Sequence, residues 1–208
     1  MRAVMLSDYM RCPCGASSLP YWKSQRIIVP NNMLIVRDDA FSASEYTAYD
    51  DTPYFKLSHE LKHLEKPVLH EGYSLASKDI ESFAIHISSC YDGSISVAEL
   101  REYTHHPVYD PNLWLAIIDS STKEIVATGI AELDAEIGEG VLEWIQVSPD
   151  YRGRGLGRFL VQELLWRMKG SASFVTVSGM VENITNPLGL YLGCGFGQKV
   201  IWHVLTKR

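Results

Sequence analysis

Cysteine is scarce in this sequence. Four among 208 residues do not make a disulfide scaffold. Long apolar runs are also missing, and none approaches the ~18 residues that suggest a membrane span. The opening MRAVMLSD has too short an apolar stretch for a secretory signal, so a cytoplasmic protein without a membrane partner is expected. A basic excess is lacking too. Nineteen Lys and Arg stand against 25 Asp and Glu, net −6, which argues against a protein built mainly to grip nucleic acid. There is no fixed-period repeat and no low-complexity tract, which excludes solenoids and arrays. What is present is ordinary for a globular chain: 46% hydrophobic and 21% charged residues exclude disorder.

The charge is uneven. Residues 1–70 hold 8 Lys/Arg and 8 Asp/Glu, whereas residues 71–208 hold 11 and 17. An acidic second half favours a cationic partner such as an amine, and it also serves plain solubility. The first 50 residues read as irregular, with strand-like runs at 26–29 and 33–36 around a Pro30-Asn31-Asn32 turn. Leu57, Leu61 and Leu64 recur at helical spacing over 54–66, and Pro67 stops the run. After Gly72 the pattern becomes regular. Ser77 followed by Ile80, Phe83, Ala84 and Ile87 predicts a capped amphipathic helix, and 96–103 a second short one. Strands are expected at 113–118, 125–133 and 141–147 as an antiparallel meander. A helix follows over 155–169, ended by Gly170. A buried strand at 174–177, a short helix capped by Asn186 with Pro187 at its first position, and a strand at 199–205 complete the chain. This order of elements gives an α/β or α+β sheet domain.

The strongest chemistry lies in V-S-P-D-Y-R-G-R-G-L-G-R, residues 147–158, between a strand and a helix. Gly153, Gly155 and Gly157 alternate, so the backbone can turn sharply and present successive N–H groups. With the N-terminus of the following helix they form a site for phosphate oxygens. Arg152, Arg154 and Arg158 add positive charge. A P-loop would need Lys-Ser/Thr where Arg158-Phe159 stands, and a dinucleotide fold would place its glycines in the first turn of a parallel sheet.

The pattern V-x-P-x-x-R-G-x-G-x-G resembles the acetyl-CoA pyrophosphate loop of the GNAT superfamily of N-acetyltransferases. N-P-L-G-L-Y-L-G-C-G-F, residues 186–196, resembles that family's late helix. The resemblance covers roughly 71–208 and implies a GNAT-type domain: a central mixed, mostly antiparallel twisted sheet flanked by helices. Residues 1–70 become an N-terminal extension that covers the acceptor site. The resemblance implies acetyl-CoA as cosubstrate and direct acetyl transfer to an amine. It assigns the pyrophosphate to the amides of Arg152, Gly153, Arg154, Gly155, Leu156 and Gly157. Pantetheine is assigned to Ile145, Gln146 and Val147, with the Val147 amide on the thioester oxygen. Tyr191 takes the place of the general acid, the other reading being a core tyrosine. Glu143 takes that of a base, directly or through a water, or of a binder of the substrate ammonium, or it faces the core. The family's pantetheine-contacting Asn falls on Ile184, so Asn183 and Asn186 are its stand-ins. Residues 88–93 map to the acceptor region, with Asp92 and Glu99 as groups for an amine. The acceptor and the oligomeric state, monomer or dimer, stay open.

Other motifs compete. His59-Glu60-Leu61-Lys62-His63 is an H-E-x-x-H on the expected helix, as zinc hydrolases need, but Lys66 and Leu69 stand where further metzincin residues would. His70 and Glu71 are the remaining third ligands. No metal is expected. Cys12-Pro13-Cys14 lacks a second pair. Cys194 reads as a small buried side chain, and His105-His106 as exposed loop residues. A non-catalytic acyl-CoA-binding module of the same fold is the second reading of the whole.

Overall fold

The computed structural model describes residues 4–91 and 95–208. Three short helices open the chain: α1 (Leu6–Arg11), α2 (Pro13–Ala16) and α3 (Tyr21–Ser24). Then come β1 (Met33–Arg37), β2 (Tyr49–His59), β3 (Tyr73–Ala76), α4 (Ile80–Cys90) and α5 (Val97–Tyr103). The meander β4 (Trp114–Asp119), β5 (Ile125–Asp134) and β6 (Glu139–Val147) leads into α6 (Leu156–Met168). The chain ends with β7 (Phe174–Met180), α7 (Pro187–Gly193) and β8 (Gly197–Lys207). It divides into two compact units, Leu61–Val175 and Met1–Glu60 with Thr176–Arg208.

In the Leu61–Val175 unit, β3 to β6 pair antiparallel in chain order, as the alternating apolar runs and turn-rich gaps predict. Successive strand residues point to opposite faces. Ile130 and Ala116 meet Phe83, Ala84, Ile87 and Leu100 of α4 and α5 on one face. Gly129 opens the other. A Cβ there would lie 3.3 Å from Leu164 and 3.4 Å from Leu160, so α6 sits close because the side chain is missing. Asp79 caps α4 through the Ser82 amide at 2.8 Å. Ser96 and Glu99 form a reciprocal capping box at α5. Gly170, at φ +90°, ends α6 as expected.

In the other unit β8 lies between β1 and β2, antiparallel to both, with Leu34 opposite Leu205 and Phe55 opposite Ile201. β2 in turn neighbours β7. Lys56 of β2 is 1% exposed. Its ammonium donates to Tyr9 Oη (3.0 Å), Ser17 O (3.1 Å) and Leu19 O (2.8 Å) and faces the Tyr9 ring. That fixes the α1–α3 segment to the strand. Trp202 of β8 adds a bond to Cys14 O at 2.9 Å.

The mixed α/β class holds, and every strand from β4 to β8 falls where its sequence pattern places it. Three expectations fail. Residues 54–66 are not a helix: 54–59 belong to β2, and Leu61 and His63 adopt left-handed φ of +56° and +54°, which no helix continues through. Residues 26–29 form no strand; α3 and a following turn occupy that stretch up to 26, and 27–29 run without regular pairing. The α4 cap is Asp79 rather than Ser77, because Ile80 opens the helix.

Candidate functional site

β6 hands the chain to the glycine loop. Thr128 faces Gln146 in the register, and the Ser148 amide donates to Val126 O at 2.9 Å. Antiparallel ladders alternate, so Gln146 and Ser148 turn their main-chain groups to β5, and Ile145 and Val147 turn theirs away from it. The Ile145 carbonyl accepts from Tyr91 Oη at 3.4 Å, and that of Val147 from Arg152 Nε at 3.2 Å. The register slips by one between Ile130 and Ala131, opposite Leu142 and Trp144. Glu143 is the extra residue of this bulge. The simple alternation that would set Glu143 on one side with Ile145 and Val147 is therefore broken. Glu143 is half-buried.

Pro149–Tyr151 makes a single 3-10 turn, and the Arg152 amide is used inside it, donating to Pro149 O at 3.2 Å. Gly153 and Gly155 follow in left-handed conformations, φ +75° and +81°. Space beside Gly153 is open, and a Cβ on Gly155 would meet His70 Nε2 at 3.3 Å. Among the described residues no acceptor takes the amides of Gly153, Arg154, Gly155, Leu156 or Gly157. The last two open α6, a 13-residue helix whose dipole places partial positive charge at the same spot. Arg154 is held beside the loop by Tyr73 Oη (3.2 Å) and Asp150 O (2.9 Å), over the Tyr151 ring. Arg152 and Arg158 are exposed. Donors, dipole and guanidinium groups of this kind can hold an anionic group, and only glycine enters the left-handed region there without strain.

Tyr191, Asn183, Asn186 and Cys194 lie in the Met1–Glu60 and Thr176–Arg208 unit. Tyr191, on α7, is 6% exposed and packs against Phe55 and Phe196, with ring centroids at 6.2 and 5.7 Å. Asn186 caps α7 through the Gly189 amide at 3.1 Å, in a left-handed conformation. Asn183 Oδ1 accepts from the amide and hydroxyl of Thr185. Both carboxamide oxygens thus hold local turns, and their NH2 groups are what either has to offer a ligand. Cys194 is buried at the end of α7.

Of the acceptor candidates, Asp92 lies outside the described residues. Glu99 is engaged by Ser96, which holds its carboxyl below the usual range. His106 is not a free loop residue: it meets the buried Glu132 at 2.9 Å, while His105 is exposed. The zinc reading fails on geometry. His59 ends a strand and packs on Phe196, His63 sits in a turn, and no group of three His, Cys, Asp or Glu that could hold a metal occurs among the described residues. No helix among them is long and apolar enough to cross a membrane.

The sequence reading missed Tyr73 and Tyr91, which bond Arg154 and the Ile145 carbonyl, His70 beside Gly155, and the His86 cluster described below. A tyrosine or histidine far away in the chain gives no local signal of such contacts.

Residues 110–198 match the family model of the acetyltransferase (GNAT) domain. Among solved structures, the GCN5-related N-acetyltransferase from Sphaerobacter thermophilus is 20% identical with a TM-score of 0.68. The match covers 83% of this chain and 58% of that one. A tandem GNAT protein from the clavulanic acid biosynthesis pathway is 14% identical, TM-score 0.59, over 79% and 56%. The ribosomal-protein-S18-alanine N-acetyltransferase from Escherichia coli is 16% identical, TM-score 0.51, over 65% and 95%. At these identities the likeness is one of fold, and the chain spans little more than half the length of the first two. No curated protein matches the chain.

Proposed function

We propose that this chain, which carries a GNAT acetyltransferase domain at residues 110–198, moves an acetyl group from acetyl-CoA to a primary amine. One observation carries the reading: a row of amides without acceptors among the described residues, from Gly153 to Gly157, bent around two left-handed glycines into the start of α6. Acetyl-CoA, when bound, supplies the activated thioester. These amides and Arg152, Arg154 and Arg158 bind its diphosphate. Ile145 and Val147 offer outward main-chain groups to the pantetheine. The Val147 amide donates to the oxygen on which negative charge develops, a donor already in place before reaction. Glu143 removes the proton of the acceptor ammonium or holds that ammonium. Tyr191 protonates the departing thiolate. Asn183 and Asn186 are assigned to the pantetheine through their NH2 groups. We assign these roles to a catalytic segment 71–208, with 1–70 as an extension that covers the acceptor. The acceptor is left as an amine of unnamed class.

The test is thermal unfolding with acetyl-CoA, coenzyme A or zinc, since a ligand of the native state raises the midpoint. A rise with both thioester and thiol forms, and none with zinc, is expected. It should vanish in Gly155→Glu, which sets a carboxylate in the cradle. No rise in the unaltered protein removes the proposal. Binding without turnover across a panel of amines, with Tyr191→Phe and Glu143→Gln indistinguishable from the parent, would favour the binding-module reading.

A further inference from the structure

Four polar side chains of the Leu61–Val175 unit form a continuous chain that ends where β6 passes into the glycine loop. Gln146 Nε2 donates to Thr128 Oγ1. Thr128 Oγ1 lies 2.9 Å from His86 Nδ1, and His86 Nε2 lies 3.0 Å from Ser148 Oγ. Gln146 and His86 are each 5% exposed, Thr128 is fully buried, and Ser148 is half-buried. Three buried polar groups in a row must satisfy one another, and this fixes where each hydrogen goes.

A carboxamide nitrogen only donates. Thr128 therefore accepts from Gln146 and gives its own hydrogen to His86 Nδ1. A neutral imidazole that accepts at Nδ1 carries its proton at Nε2. With a proton on Nε2, Ser148 cannot donate into the ring. Cys90 Sγ, 3.7 Å from Nε2, is a weak further neighbour of the same nitrogen. No other side-chain partner of the Ser148 hydroxyl is found among the described residues. Its hydrogen is left pointing away from the buried chain. Gln146 Oε1 has no partner among the described residues, and turning the carboxamide over would reverse every bond of the chain.

We infer that Ser148, its hydroxyl hydrogen turned outward by Gln146, Thr128 and His86, donates a hydrogen bond to an oxygen of the pantetheine-diphosphate part of acyl-CoA, and that His86 is a positioning residue for that contact. The inference rests on the acyl-CoA reading above. Ser148 stands between the Val147 amide and the glycine loop, so a ligand that uses both passes this hydroxyl. The buried chain keeps the hydroxyl from rotating inward, so less freedom is lost when it binds.

The test is calorimetric titration with coenzyme A and with adenosine 3′,5′-bisphosphate, which lacks the diphosphate and pantetheine. Ser148→Ala should weaken coenzyme A about five- to tenfold, the loss of one hydrogen bond, and leave the bisphosphate unchanged. Ser148→Thr, which keeps a hydroxyl, should restore binding. Thr128→Val should show the Ser148→Ala loss with Ser148 in place, and Thr128→Ser should rescue it. Equal affinity of Ser148→Ala and the parent overturns the inference while leaving the acyl-CoA reading intact. Failure of the parent to bind coenzyme A overturns both. Ring-nitrogen NMR of the unaltered protein gives a second readout that needs no variant to fold: the Nε2–H tautomer is expected, and the Nδ1–H tautomer overturns the inference.

Discussion

Above pH 6.5, the ordinary pKa of its side chain, His86 is neutral in both the folded and the unfolded chain. Burial lowers its pKa in the fold to about 4. Between those two values the unfolded chain takes up a proton that the folded chain refuses, so folding loses stability as pH falls through this window. Below about 4 both states hold the proton and the loss stops growing. Burial lowers His59 in the same direction, so it adds to the slope. Urea unfolding followed from pH 7.5 to 4 should show a declining midpoint, with a shallower decline in His86→Asn. An equal slope in the variant would mean that His86 is open to water in the fold. The histidine that orients Ser148 is thus also a source of acid sensitivity.

At the scale of elements, the capping box of α5 is a local feature whose two bonds are visible in both sequence and structure. Ser96→Ala removes the acceptor of the Glu99 amide and should cost about 1 kcal/mol in denaturant unfolding, with coenzyme A affinity unchanged. Signals of this kind made the later part of the chain legible: apolar runs bounded by turn-rich gaps gave β4 to β6, the Asn-Pro pair gave α7, and the glycines gave the loop. β2 was illegible for identifiable reasons. Residues 55–59 are buried on both faces, and no turn-rich gap bounds the run as one bounds β5. Pro53 inside a run argues against a strand, and Lys56 looks like a solvated charge until Tyr9 and two carbonyls are seen around it. Leu57, Leu61 and Leu64 then mimic a helix by spacing alone. The glycine loop was legible to the residue, but its bracing by Tyr73, the bulge at Glu143 and the His86 chain were not. Each depends on a register or on a partner tens of residues away.

For the whole molecule, the main fact is that β8 has a neighbour from the first 60 residues on each side. A fragment of residues 71–208 keeps the entire GNAT match but loses both partners of its last strand. It should be poorly folded, with weak dispersion in an NMR spectrum and no cooperative melt. Adding a separate 1–70 peptide would restore order only if β1 and β2 can pair after synthesis. A well-dispersed 71–208 fragment would show that β8 does not need them.

The clasp around β8 also sets the order of events on the ribosome. β1 and β2 emerge early, yet the strand that pairs between them follows much later in the chain. For the time needed to translate about 140 further residues, two strands that are adjacent to β8 in the fold wait with open edges. Such edges readily pair with other chains. Joining segments far apart in a chain is slow, because a large loop must close before any contact rewards it. Yield in the cell should therefore respond to holdase chaperones and to growth temperature more than the equilibrium stability alone would suggest.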